Sequence, residues 1–260
     1  HEKGEMKRIS PPPPSSYAIF GTDPVGYPIL QKVIIGIKYT IIITLVIATT
    51  RIVAGYLFAI LYVFYSNNKI RVAINSIADG MHFLPLSLLT YILLIPILRN
   101  MTGIWETTLM ERLIFQIVIM SVIVLPVTTS SIGNEMNETL KKEYVQSSVV
   151  MGGSLIWILI KHLNPVLWPK ILLLWTQHIV QVLQMFVHLG ILSLFVGGSM
   201  HGVPDISELS GMIAISREVF MTKQYWMILP PLFTFMLLIY CFNTIANGIS
   251  KKPIFFSKND

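Results

Sequence analysis

Charged side chains are scarce in this sequence. Asp, Glu, Lys and Arg make up 12% of its 260 residues, against 53% hydrophobic, and mean hydropathy is +0.67. A soluble domain carries about 25% charged residues, so the chain has roughly half the polar coat it would need in water. A single cysteine, Cys241, excludes a disulfide within the chain and leaves cysteine usage silent on redox compartment. No Gly-x-x-x-x-Gly-Lys-Ser/Thr run occurs, so a phosphate-cradling loop is missing and ATP hydrolysis by this chain is not expected. His, Cys and Asp never cluster at metal-ligand spacing; HEKGE at 1–5 lacks the second histidine of a zinc helix. GGSL at 152–155 lacks the Gly-x-Ser-x-Gly of a nucleophile turn. With no convergent acid/base or metal site, the chain is read as not an enzyme, with no bound metal and no cofactor of its own. Residues 1–16, HEKGEMKRISPPPPSS, are charged and proline-rich, unlike a signal peptide, with Pro11–Pro14 expected extended.

The net charge of +6 (pI 9.4) has no aromatic-basic stripe behind it. The bases are spread over loops and ends, which favours lipid headgroups and partner proteins and argues against nucleic acid. What the sequence does have is long apolar runs, at 41–65, 72–98, 113–133, 171–197 and 226–248. A bilayer-crossing helix takes about 20 residues, and each run supplies that. A buried soluble core is the competing explanation, but so few polar residues could not cover five such runs. The expected fold is therefore all-α and polytopic, with five transmembrane helices and chain ends on opposite sides of the membrane. Its parts are an extracellular segment 1–32, a transmembrane domain 33–250 with a cytoplasmic loop at about 134–170, and a cytoplasmic tail 251–260. The side holding Lys69, Arg71, Lys141, Lys142, Lys161, Lys170 and the tail lysines is favoured as cytoplasmic, although basic residues near the N-terminus pull the other way.

Several local features stand out. FGTDPVG at 20–26 has turn chemistry, and 29–40 reads as a short interfacial helix ahead of the first span. Arg51 falls inside that span. A mid-bilayer charge costs about 2.5–3.5 kcal/mol, so Arg51 should face protein or a water-filled path; snorkelling to a headgroup is the alternative. The second span begins polar, with Asn75 and Asp79, and Trp105 is placed for an interfacial belt. In the 134–170 loop, residues 143–151 suit a short helix with Glu143 in its first turn. Gly152-Gly153 ends that helix, Ser154 caps a second one to about His162, and Asn164-Pro165 stops it. Ser147 and Ser148 are expected to keep one face thin, so that another surface can approach. An ordinary interhelical loop is the other reading of this stretch.

Gln177, Gln181, Gln184 and His188 are spaced 4, 3 and 4, which places them on one helix face. Unpaired amides in lipid are costly, so the stripe either lines a translocation path, together with Arg51, or hydrogen-bonds between packed helices. Residues 198–225 read as a longer loop with turns at Gly198, Gly202 and Pro204 and an amphipathic helix near 207–220.

Residues 143–169, EYVQSSVVMGGSLIWILIKHLNPVLWP, resemble the cytoplasmic coupling loop (the "EAA" motif) of binding-protein-dependent ABC importer permeases. The resemblance is to the second permease of the oligopeptide/dipeptide/nickel group. That family shows Glu-Tyr-Val-x-Ala-Ala, a glycine after three more residues, and a later His-x-x-Pro. Glu143, Tyr144, Val145, Gly152, His162 and Pro165 match, and Ser147-Ser148 replaces the alanine pair. FGTDPVG resembles the family's Phe-Gly-Thr-Asp-x-x-Gly. Asp79 to Pro85 fits its Asp-x5-Pro, and Tyr225-Trp226, Pro230 and Phe242-Asn243 fit its closing span. The likeness covers nearly all of 18–252. The sequence departs in VTTSSIG after Pro126, where the family has arginines, and in the polarity of the Gln/His stripe.

The resemblance implies a type I importer permease forming half of a channel in a bacterial cytoplasmic membrane. Its partners would be a second homologous permease, two ATPase subunits that bind ATP and Mg, and an extracellular solute-binding (lipo)protein. Peptides would be the cargo, with nickel or a metal chelate as the alternative. Glu143, Tyr144, Val145, Ser147, Ser148, Gly152 and Gly153 would couple to the ATPases. The family usually has a further span before FGTD, which implies a sixth, N-terminal helix missing from this chain. Outside the family, a proton-coupled secondary transporter is the remaining reading, with Arg51 and His188 as its ionisable candidates.

Overall fold

The computed structural model describes residues 13–15, 18–23, 26–98, 107–198, 206–216 and 224–251. Trp105, Gly202, Pro204 and the tail beyond Lys251 lie outside them. The described residues are mostly helical, with isolated bridges and no strand among them. Among the described residues four helices are long and apolar enough to cross a membrane, and five if one bent pair counts as a single span.

Helix α1 (Ile29–Phe64) is a continuous 36-residue rod. The expected break near 40 does not occur. Lys38, Tyr39 and Thr40 mark a change in polarity, but no proline or turn residue there gives the backbone a reason to stop. At 1.5 Å per residue the rod is about 54 Å long, well beyond a hydrocarbon core of about 30 Å. Its C-terminal carbonyls on Tyr62 and Val63 accept hydrogen bonds from the Arg71 guanidinium. A cation at a helix C-terminus satisfies orphan acceptors and suits the dipole.

The run 72–98, expected as one span, is two helices bent by 97°: α2 (Asn68–Met81) and α3 (Leu86–Leu98). A proline disfavours the helical region for the residue before it, and Leu84, before Pro85, lies in the non-helical bend between the two helices. Upstream, Asn67 caps α2 by accepting from the Ile70 N–H at 2.9 Å. Helix α2 carries Lys69, Arg71, Asn75, Ser76 and Asp79 and is amphipathic; α3 is almost wholly apolar but only 13 residues, about 20 Å, long.

Helix α4 (Leu109–Leu140) continues well past the expected end at 133, and α5 (Glu143–Val150) follows after two residues. The expected 134–170 loop is therefore mostly helical. Helix α6 (Leu155–Ile158) passes through a π-turn (Leu159–Leu163) into α7 (Asn164–Ile191), a 37-residue run in all. Asn164-Pro165 does not stop the chain. A proline lacks an N–H and its ring strikes the carbonyl four residues back; the widened turn, with the Asn164 N–H reaching Leu159 O, accommodates both. Helix α7 ends at Ile191, earlier than the 197 expected, where Ser193 takes a positive φ of 60°. A short buried helix, α8 (Leu209–Ser216), and a 3₁₀ turn at Tyr225–Met227 precede α9 (Leu229–Lys251). Pro230 and Pro231 sit in its first turn, where a missing N–H is harmless.

The chain divides into two compact units. The first comprises His1–Leu45, Thr90–Gln116 and Val182–Tyr240. Its interior holds Ile29, Val33, Leu94, Leu98, Phe186 and nearly all of α8. The FGTD turn belongs here: Asp23 accepts the Tyr27 N–H at 2.8 Å and pairs with Lys32. The second unit comprises Val46–Leu89, Ile117–Gln181 and Cys241–Asp260. Its core gathers Ala59, Tyr62 and Val63 of α1, Ile132 and Met136 of α4, Val145 of α5, and Ile158 to Leu167 of the α6–α7 run.

The outward faces are apolar. Val53, Leu57, Phe58 and Leu61 of α1 are each about half exposed or more, and only 22% of the apolar window of α9 is buried. Water would not tolerate that much exposed aliphatic surface, whereas lipid or apposed helices would. These are the surfaces of a multi-pass membrane protein.

Candidate functional site

Helix α5 is short, held from beneath and bare on top. Val145 is fully buried in the core of the second unit. Ser148 Oγ donates to Tyr144 O at 3.0 Å, so the 3.1 Å contact with His162 Nε2 requires the imidazole to be the donor. His162 in turn lies edge-on to Trp157, ring centroids 4.9 Å apart, and 5.8 Å from Tyr144. One histidine from the π-turn thus ties α5 to the long helical run. Ser147 points away, exposed, with its Oγ on Glu143 O. The two serines do not share a face as expected, because neighbouring helical residues diverge by about 100°.

Gly152 ends α5 at φ +85°, a conformation that favours glycine, and nothing crowds its side-chain position. Gly153 is needed for a different reason: a Cβ there would lie 2.8 Å from Ser148 O. Ser154 then accepts from the Trp157 N–H at 3.4 Å as the cap of α6. The surface left over is apolar, with Val150 87% and Met151 79% exposed, and Glu143 and Tyr144 outward beside them.

In the second unit, Arg51 is fully buried. Its Nε donates to Met120 O at 3.0 Å and its Nη1 to Gln181 Oε1 at 2.8 Å. Snorkelling is excluded by that burial. Beside it, Thr128 Oγ1 donates to Val124 O and lies 3.2 Å from His178 Nε2. Gln181 is half-buried, while Gln177, Gln184 and His188 are exposed along α7. Amides exposed on an otherwise apolar membrane helix are costly against hydrocarbon unless they meet water or a polar partner. His178 was not singled out by sequence reasoning. It lies next to the Gln stripe, one residue after Gln177, but only the fold turns it inward.

The first unit holds two further buried charged residues that sequence reasoning missed, Arg112 and Glu208. Arg112 is fully buried and donates to Val196 O (3.0 Å), Thr107 O (2.7 Å) and Gly197 O (3.5 Å). Gly198, at φ +50°, lets the backbone lie against the guanidinium; a Cβ would be 2.6 Å from Arg112 Cζ. Glu208, also fully buried, accepts from the Gly197 N–H at 3.1 Å. Burial pushes its carboxyl up to about 7, against the opposite pull of the Gly197 and Val196 amides, Ser210 and Arg112. One turn along α4 from Arg112, the buried Gln116 amide has no hydrogen-bond partner at either end. A charge or amide at the edge of an apolar run was the available signal for all three.

Among the described residues no group of three His, Cys, Asp or Glu is placed to hold a metal ion. Compared with protein-family models and with curated proteins, the sequence matches none.

Proposed function

We propose that the chain is a transmembrane permease subunit of a type I, binding-protein-dependent ABC importer for peptides, in a bacterial cytoplasmic membrane. The observation that carries this reading is α5: eight residues anchored by Val145 and the Ser148–His162 contact, ended by a left-handed glycine, and presenting Tyr144, Val149, Val150 and Met151 outward. An apolar knob on a rigid stem suits a socket on a partner. ATP-driven closure of two ATPase subunits would push α5, and His162 would pass the displacement into the α6–α7 run. Rigid elements with two arrangements are the physical form that coupling requires. Gln177, Gln184 and His188 would line the path shared with a second permease, and an external solute-binding protein would deliver cargo.

The test uses residues whose loss leaves the fold alone. Val150→Glu with Met151→Glu removes exposed apolar contacts only, so the permease should fold and insert normally. Its ATPase subunits should no longer co-purify, and uptake should fall at least about tenfold, as for loss of an interface anchor worth more than about 1.4 kcal/mol. Unchanged co-purification would remove α5 as the docking element.

The stripe has its own test. In a Cys241→Ser background, single cysteines at 177, 184 and 188 should react with membrane-impermeant thiol reagents, and one at 181 more slowly because Gln181 is half-buried against Arg51. Protection of all four positions in the assembled transporter would identify the stripe as packing between helices.

A further inference from the structure

Glu208 immediately precedes α8, and its two carboxyl oxygens have different surroundings. Oε1 accepts from the Gly197 N–H at 3.1 Å. Oε2 is buried with no hydrogen bond of normal geometry, although the Val196 amide and Ser210 are close enough to favour the ionised carboxyl. An ionised oxygen buried without a donor is strongly disfavoured, whereas a protonated one loses much less. Next to it is a cavity of about 30 Å³, lined by Asp23, Lys32, Ser207 and Glu208 among others. That is room for a water molecule with polar partners.

The charged groups facing Glu208 come from three places. Arg112 of α4 is engaged by the carbonyls of Thr107, Val196 and Gly197. Lys32 of α1 is paired with Asp23, from the turn ahead of α1. One ammonium and two carboxyls therefore share one small cavity. Arg112 favours the ionised form of Glu208, but the cost of burial outweighs it. A metal cation is a poor fit: hard cations take about six or more oxygen ligands, and an ammonium already stands in the cavity.

We propose that this cavity is a proton-binding site, in which Glu208 Oε2 takes up one proton from the aqueous phase and Lys32 is its alternative countercharge. Uptake forms one O–H bond at the expense of a hydronium or water O–H bond, and nothing is oxidised or reduced. The elevated affinity of this buried carboxyl for protons fits release and rebinding near neutrality. The proposal does not rest on the importer reading, since every group in it belongs to the first unit of this chain.

The test is infrared difference spectroscopy on the full chain in liposomes, titrated from about pH 5 to about pH 9, a range that brackets an ordinary carboxyl and an elevated one. The wild type should show a protonated-carboxyl C=O band that disappears with a midpoint near neutrality. Glu208→Gln, a neutral isostere of the protonated form, should lack it. Lys32→Met should retain the band and move its midpoint upward by roughly one pH unit, the loss of one nearby countercharge. A band that persists in Glu208→Gln, or that fails to titrate over this range, overturns the site. An unmoved midpoint in Lys32→Met overturns the role of Lys32. A midpoint that shifts when sodium replaces choline would show a metal-cation site in place of a proton site.

Discussion

Arg51→Ala is expected to destabilise the protein by about 3–5 kcal/mol, a large part of a total stability of about 5–15 kcal/mol. The side chain is fully buried and bridges two elements, with Met120 O of α4 at 3.0 Å and Gln181 Oε1 of α7 at 2.8 Å. Truncation leaves that carbonyl and that amide without their donor, at about 1–3 kcal/mol each, and opens a cavity as well. Arg51→Lys should recover only part of the loss. A single ammonium on a flexible stem cannot reproduce donation from Nε and Nη1 in two fixed directions. Arg51→Met, which keeps most of the volume, should lie between alanine and wild type. Thermal midpoints and monodispersity in detergent give the order. A midpoint for Arg51→Ala equal to wild type would mean that the guanidinium is not part of a buried network. Because Arg51 acts from inside the second unit, its loss should show first as reduced folded protein.

Stability should fall as pH rises through neutrality, and Glu208 should be the cause. Its carboxyl is raised by burial from an ordinary 4.5 to about 7 in the folded protein. The folded state therefore holds this proton more tightly than the unfolded chain does, and the unfolded chain binds fewer protons in the interval between. Stability tied to Glu208 is fully present below about pH 4.5 and is lost as pH rises through about 7. The interval corresponds to about 3 kcal/mol when fully developed. Unfolding midpoints measured in one detergent across this range should decline in the wild type. Glu208→Gln should flatten the curve and match or exceed the wild type at alkaline pH, because no charge has to be buried. A wild-type curve that rises with pH would contradict the assignment, as would an equal decline in Glu208→Gln.

Much of α5 and the turn after it was legible because their signals are local. Glu143, the Gly152-Gly153 turn and the Ser154 cap act within one or two helical turns, and α5 ends within one residue of the expected bound. Pro85 also announced itself, since the break in 72–98 falls beside it, but a continuous apolar count overrode the turn chemistry. The π-turn before Pro165 was not legible. A proline by itself indicates a stop, and whether the helix instead widens and continues depends on the packing of Leu159, Leu163 and Leu167 in the core of the second unit.

Composition and apolar runs determined that this is an all-helical chain with several membrane-spanning segments, because hydropathy is a property of each residue and its immediate neighbours. The tertiary structure alone decided where the buried charges go. Arg51 meets Gln181 from 130 residues away, and Arg112 meets Val196 from 84. An ion inside a protein is tolerated only where dipoles and countercharges converge on it, and convergence from distant segments leaves no periodic trace along the chain. The same reason hid Glu208: next to Leu209 in sequence it reads as a loop acid, and only the fold buries its carboxyl beside a small cavity.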